Sequence, residues 1–273
     1  MRPADVPAAT HRAEVELGGR FKFGENWARF LRGLSEQRIA AAERSLREML
    51  GVERLDGRTF LDIGCGSGLF SLAARRLGAR VVSFDFDPQS VACAQTLRER
   101  YFAGDDGWRI CEGSALDADF MARLGRHDVV YSGGVLHHTG NMYQGLALAA
   151  QAVRPGGHAF IAIYNDQGWL SRYWAAVKRL YNGSAPGRMA MIAWHAPYLF
   201  GARGAFRLIA RRGRLERGMS MWHDMLDWLG GYPFEVARPE EIFDFYRARG
   251  FRLDKLITCG GGLGNNQFVF TRR

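Results

Sequence analysis

Apolar residues along this chain fall into two spacings. Runs such as Phe60-Leu61-Asp62-Ile63, Val81-Val82-Ser83-Phe84 and Val129-Val130-Tyr131 are nearly continuous, as in strands buried on both faces. Between such runs the apolar positions recur every three or four residues, as on the inner face of a helix. The pattern predicts strands at 59–63, 80–84, 108–111, 127–131 and 158–164, and helices at 69–77, 88–100 and 142–153. Pro88 suits the first turn of its helix, and Arg154-Pro155-Gly156-Gly157 is a strong breaker after the last one. This alternation means parallel βαβ units with helices on both faces of a sheet. Upstream, Trp27, Phe30, Leu31, Leu34, Ile39, Leu46 and Leu50 have helical spacing and predict one helix over 26–50, stopped by Gly51. Residues 1–20 read as a loose arm.

The alternation ends after position 164. A helix is expected over 239–249, then strands at 252–258 and 267–271 with only a glycine-rich loop between them. Two strands joined that way pair as an antiparallel hairpin, here at one edge of the sheet. The stretch 165–232 is dense in aromatics and arginines and too long for a plain loop, so it reads as a helical cap on the sheet. The chain therefore divides into an N-terminal arm and helix (1–50), a core (51–164), a cap insertion (165–232) and a closing part of the core sheet (233–273).

Composition narrows the class. With 273 residues, 47% of them hydrophobic, the chain can bury a full core as a soluble globular protein. A net charge of +9 permits an anionic partner without requiring one. The first twenty residues contain no apolar run of the secretory kind, and no stretch reaches the length of a membrane span. Cys65, Cys93, Cys111 and Cys259 have neither disulfide-framework nor zinc spacing. Free thiols and a cytoplasmic location are the expectation.

Candidate chemistry concentrates where the first predicted strand meets its helix. Gly64, Gly66 and Gly68 alternate there with Cys65 and Ser67, letting the backbone turn tightly and approach a ligand. The dinucleotide fingerprint needs its third glycine at 69, where this chain has leucine. Asp62, two residues ahead, is placed to meet a cationic group such as an amino-acid ammonium. Asp85 lies 21 residues beyond Gly64, where an acid can accept both hydroxyls of a ribose. Phe86 beside it can pack on an adenine face. Asp85 also reads as a helix N-cap, but Asp87, next to Pro88, suits that role better.

Taken together, the blocks FLDIGCGSG, VVSFDFDP, EGSALD, HDVVYSGGVLHH and VRPGGHAFIAIYN between Phe60 and Asn165 resemble the class I S-adenosylmethionine (SAM) dependent methyltransferases. Within that class the chain is most similar to the ubiquinone-pathway O-methyltransferases and their relatives of unassigned substrate. The resemblance implies a Rossmann-like α/β fold: a seven-stranded, mostly parallel sheet with an antiparallel last strand. It implies SAM as cofactor, with Asp62 and the Gly64-Cys65-Gly66 loop around its methionine part and Asp85 on the ribose. Ser114 and Ala115 would lie by the adenine, Ser132 and Gly133 under the sulfonium, and Arg38 on the carboxylate. The quinone enzymes carry Glu-x-x-Glu-His after strand four, and some hold a metal with those acids. Here the positions read Gly134-Val135-Leu136-His137-His138, so no catalytic metal is expected. His137 and His138 are each read either as a structural residue or as a general base near the methyl group.

Outside the shared blocks, the run Met219-Ser220-Met221-Trp222-His223-Asp224 offers His223 as a further catalytic candidate, against a reading as ordinary packing. Residues 21–27 are placed to cover the cofactor from the N-terminal side. Arg203, Arg207, Arg211, Arg212, Arg214 and Arg217 form a basic stretch, read either as a solvated face or as suited to an anionic substrate or membrane surface. The leading expectation is a methyltransferase for a small-molecule acceptor, anionic if the arginines serve it, with no nucleic-acid partner. The alternatives are an RNA or protein methyltransferase and a non-catalytic SAM-binding protein.

Overall fold

A computed structural model describes residues 11–197, 226 and 228–273. Seven strands form one sheet: β1 (Thr59–Ile63), β2 (Arg80–Asp85), β3 (Trp108–Glu112), β4 (His127–Gly133), β5 (Val153–Tyr164), β6 (Phe251–Ile257) and β7 (Asn265–Arg272). Their order is β3-β2-β1-β4-β5-β7-β6. The first five are parallel, and β7 lies antiparallel between β5 and β6. The closing hairpin therefore stands where the helix-free connection places it, with β6 at the edge. Chain order reverses between β1 and β4, and the gap beyond their carboxyl ends is where such sheets take ligands.

The helices are α1 (His11–Glu16), α2 (Gly24–Arg32), α3 (Glu36–Leu50), α4 (Leu69–Arg76), α5 (Pro88–Phe102), α6 (Ala118–Leu124), α7 (Met142–Gln151), α8 (Trp169–Gly183), α9 (Ala185–Ala196) and α10 (Pro239–Arg247), with a 3-10 turn at Leu136–His138. Successive strand residues feed opposite faces, as the pleat requires. Phe60, Val81, Val129 and Phe160 pack on Ile39, Leu46 and Leu72, whereas Leu61, Ile63, Val130 and Ile161 pack on Leu146, Ile242 and Phe268. A third, smaller cluster holds α8 and α9 together through Trp174, Val177 and Tyr181, with Leu229.

Three expectations are corrected. The helix predicted over 26–50 is two: Gly33 closes α2, its N–H donating to the Phe30 carbonyl and that of Leu34 to the Leu31 carbonyl, and Ser35 restarts the chain in an extended conformation. Of the arm expected over 1–20, residues 11–20 are not loose, since they form α1 and carry Arg20, which donates to the His138 carbonyl, while residues 1–10 lie outside the described residues. The Arg154-Pro155-Gly156-Gly157 breaker lies inside β5. Register against β4 jumps from His127–Val153 to Val129–His158, so those four residues bulge out. A side chain at Gly157 would press on the Asp128 carbonyl at 2.9 Å.

Among the described residues no helix is long and apolar enough to cross a membrane. His223, the run 219–224 and the arginines of 203–217 lie outside the described residues.

Candidate active site

A cavity of about 620 Å³ opens beyond the carboxyl ends of β1, β2 and β4. Its floor is the glycine loop. Gly64, Gly66 and Gly68 all have positive φ, at 74°, 54° and 79°. A Cβ on Gly64 would overlap Val135, and one on Gly66 would stand 2.8 Å from the Trp27 indole. Only a residue without a side chain lets the wall close this tightly. The Gly64 and Cys65 amides donate to the Phe84 carbonyl at 2.9 and 3.0 Å, locking the turn to β2. Cys65 lines the cavity through this turn, and burial pushes its thiol pKa well up.

Two carboxylates occupy the wall. Asp62 is 1% exposed and accepts a hydrogen bond from Ser71 Oγ at 2.6 Å. Burial raises its pKa to about 7, with the Asp85 charge adding to the effect. Asp85 accepts from Gly66 N and Asp87 N, each at 2.9 Å, and burial lifts its pKa to about 6. Each of its oxygens keeps a lone pair for a ligand hydroxyl. Asp87 caps α5, as read from the sequence, through Gln89 N at 2.9 Å. Its other oxygen accepts from Gly24 N at 2.8 Å and so ties α2 to the site.

These features fit SAM. A glycine cradle takes backbone contact with the methionine part, one buried acid suits its ammonium, and a second suits vicinal hydroxyls. Phe86, Ser114 and Ala115 line the same cavity beside Asp85, and Gly133 lines it at the end of β4.

Three of the expected site residues are elsewhere. Ser132 is fully buried, with Oγ 3.4 Å from the Ile63 carbonyl at the β1–β4 seam. Arg38 donates from Nη1 to the Gly33 carbonyl at 2.7 Å and lies over the Phe30 ring. The break between α2 and α3 leaves it closing the end of α2 rather than reaching the cavity. His137 is also buried away from the cavity, its ring centroid 4.0 Å from that of Tyr164. Burial, aided by His138 and Lys178, holds its pKa well below the usual histidine value.

His138 points the other way and lines the cavity. Its Nδ1 lies 2.6 Å from the Pro233 carbonyl. A carbonyl only accepts, so Nδ1 carries the proton and Nε2 is left as an acceptor. Burial lowers the His138 pKa to about 3.

The cover over the cavity is the part least legible beforehand. Phe21, Phe23, Trp27 and Phe30 line it from the N-terminal side, which includes the 21–27 stretch singled out in the sequence. Arg20, which the sequence does not mark, donates to the His138 carbonyl at 2.9 Å and pairs with Glu14 at 2.6 Å. Its guanidinium lies 5.0 Å from the centroid of Phe86, which also meets the His11 ring edge-on. Tyr131, Tyr164 and Trp228 complete an aromatic side of the cavity. Among the described residues no three His, Cys, Asp or Glu side chains are grouped to hold a metal.

Comparison with known proteins agrees with this geometry. Residues 61–161 match a family model described as a methyltransferase domain. The ubiquinone biosynthesis O-methyltransferase of Methylobacterium sp. (strain 4-46) is 35% identical over 128 residues, 47% of this chain and 49% of that one. The tRNA U34 carboxymethyltransferase of Methylococcus capsulatus is 36% identical over 118 residues, 43% of this chain and 36% of that one. This chain thus spans about half or less of the length of these curated relatives. Among solved structures, the Burkholderia thailandensis 1,6-didemethyltoxoflavin-N1-methyltransferase, with S-adenosylhomocysteine bound, aligns with TM-score 0.51 and 18% identity, covering 99% of this chain and 93% of its own. The Synechocystis magnesium protoporphyrin IX methyltransferase aligns with TM-score 0.53 and 14% identity, covering 87% and 83%. At such identities the likeness is one of fold.

Proposed function

We propose that this chain, whose residues 61–161 match a methyltransferase-domain model, transfers a methyl group from SAM to a small-molecule acceptor. The observation that carries the reading is a pair of acids in the wall of a glycine-floored cavity where the strand order reverses, Asp62 buried and Asp85 half-buried under two backbone N–H donors. Acids drawn out of water without a described ion pair are costly unless a ligand answers them. SAM supplies a methyl group already activated on a sulfonium. The protein's task is then to hold, orient and exclude water.

Asp62 holds the ammonium, Asp85 the ribose hydroxyls, and Phe86, Ser114 and Ala115 the adenine. Gly133 leaves the backbone at the end of β4 open to the reacting centre. On the acceptor side, His138 Nε2 accepts a hydrogen bond from an O–H or N–H and so turns the nucleophile toward the methyl group. With a pKa near 3 it orients a donor without retaining its proton. This favours acceptors whose O–H or N–H is itself acidic. Tyr131, Tyr164 and Trp228 offer flat apolar walls for a ring. A volume of about 620 Å³, shared with SAM, suits a small acceptor or one end of a larger one.

A second reading, methylation of RNA, draws on the similarity to the tRNA-modifying relative. The deciding experiment incubates the purified chain with SAM and metabolite extracts, and seeks products heavier by one methyl replacing one hydrogen. A metabolite product supports the proposal. Methyl incorporation into RNA alone moves the assignment to the second reading, and SAM binding without any product leaves a non-catalytic binder.

A further inference from the structure

Asn265 opens β7 and stands directly opposite Tyr164 of β5 in the antiparallel ladder, so both side chains fall on one face of the sheet. Both line the cavity. The neighbouring Asn266 turns the other way, and both ends of its amide are engaged. It accepts from Cys259 N at 3.1 Å and donates to Asn165 Oδ1 at 2.9 Å. Asn265 differs: its Oδ1 is buried and has no hydrogen-bond partner among the described residues. A buried oxygen left in that way is costly, and in the wall of a binding cavity it marks a place kept for a ligand.

The strand order separates the two halves of the cavity. Across the sheet stand Asp85 on β2, Asp62 on β1, Gly133 on β4, Tyr164 on β5 and Asn265 on β7. Neighbouring strands lie about 4.8 Å apart, so β7 is about 14 Å from β1, on the far side of β4 from both acids. Asn265 therefore belongs to the half that holds His138 and Tyr164, whose ring centroids are 5.5 Å apart. A Cβ on Gly134 would stand 3.5 Å from Asn265 Nδ2, so the amide leans back over the end of β5 toward β4.

We infer that Asn265 is a specificity-determining residue whose amide pairs with the non-reacting edge of a flat acceptor, an N–H beside a carbonyl as in a cyclic amide. A carboxamide sets one acceptor and one donor side by side in a plane, and its complement is one donor beside one acceptor in that plane. A cyclic amide holds such a pair rigidly in its ring, and Tyr164 and Trp228 are walls for a ring. A carboxylate would set its charge against the Oδ1 lone pairs, and an apolar ring would leave Oδ1 unanswered. His138 Nε2 takes the reacting O–H or N–H, so the acceptor is fixed at two edges. That role rests on the methyl-transfer reading, which sets the acceptor over β5 and β7. Asn265 lies outside the residues 61–161 that match the family model.

The test titrates the full chain, saturated with S-adenosylhomocysteine, with 4-hydroxy-2-pyridone and with its N-methyl analogue, read by calorimetry. The first probe carries an acidic hydroxyl and a free lactam edge, and the second has N–CH₃ in place of the N–H. The wild type should bind the free lactam at least about tenfold more tightly. Asn265→Leu, which keeps the branched shape without the polar atoms, should bind both probes alike at the weaker level. Its SAM affinity and circular dichroism should match the wild type. Equal binding of the probes to the wild type, binding of neither, or a preference that survives Asn265→Leu overturns the proposal. So does a loss of SAM affinity in that variant, which would put Asn265 on the cofactor. The wild-type comparison decides even where the variant does not fold. A preference for the free lactam with no methyl product from any metabolite would leave the pairing standing and sink the methyl-transfer reading. Methylated metabolites with no preference between the probes would sink the pairing alone.

Discussion

Asp62 and Asp85 are carboxyl groups kept where charge is expensive, and their shifts have a definite sign. Burial raises both pKa values, to about 7 and about 6. Each therefore binds its proton more tightly in the folded chain than in the unfolded one. Their contribution to the stability of the ligand-free protein is present at low pH and is lost as pH rises through about 6 and 7. A cation seated against Asp62 reverses the preference, because it favours the ionised form. SAM binding should consequently release protons near neutrality, and affinity should fall about tenfold or more between about pH 7 and about pH 5.5. Titration calorimetry at several pH values, in buffers of different ionisation enthalpy, measures both effects. Asp62→Asn should weaken binding and flatten the profile. An affinity that is level across this range in the wild type would remove Asp62 from the ammonium. His138 adds nothing to the slope, because with a pKa near 3 it stays neutral throughout.

At the scale of elements, the core was legible because β1, β2 and β4 are nearly continuous apolar runs and helices with their own stop signals separate the strands. The closing hairpin was legible for the opposite reason, the lack of a helix between two strands. What escaped was decided by single contacts over long sequence distances. Arg20 meets the carbonyl of His138, 118 positions away, and nothing near Arg20 announces that pairing. His137 and His138 are adjacent and chemically equal, and only packing against Tyr164 and Pro233 separates them. Arg38 looked available until Gly33 ended α2 and supplied the carbonyl that Arg38 binds. The bonds that hold the cover formed by α1 and α2 to the core include those of Arg20, the His11–Asp87 pair and the Gly24–Asp87 contact at 2.8 Å. Arg20→Ala should therefore loosen the cover and raise the SAM dissociation rate, costing about 1.5–3 kcal/mol of affinity as for other hydrogen bonds made by charged groups. Stopped-flow binding would read it, with a melting temperature close to wild type. An unchanged dissociation rate would mean that the aromatic residues hold the cover without the arginine.

At the scale of the whole molecule, the apolar interior of the described residues is three bodies rather than one. Two sandwich the sheet and share its strands, so loss of either takes the sheet with it. The third, under α8 and α9, meets the sheet among the described residues through aromatic rings, with Tyr164 5.3 Å from Phe234 and 6.0 Å from Trp228. Trp174 is its centre, 5% exposed and with its ring centroid 5.4 Å from that of Trp228 and 5.2 Å from that of His195. Truncating a buried tryptophan to alanine costs about 3–5 kcal/mol, a large share of what so small a cluster can hold. Proteins open in units, and a unit joined to the rest by a narrow seam opens first. Trp174→Ala should thus speed amide exchange across 169–196 by orders of magnitude while β1, β4 and β5 keep wild-type protection. SAM affinity should change little, because Asp62, Asp85 and the glycine loop belong to the sheet. Exchange that accelerates equally in the sheet would show a single cooperative unit, with the hairpin stabilised by the core rather than by its own cluster.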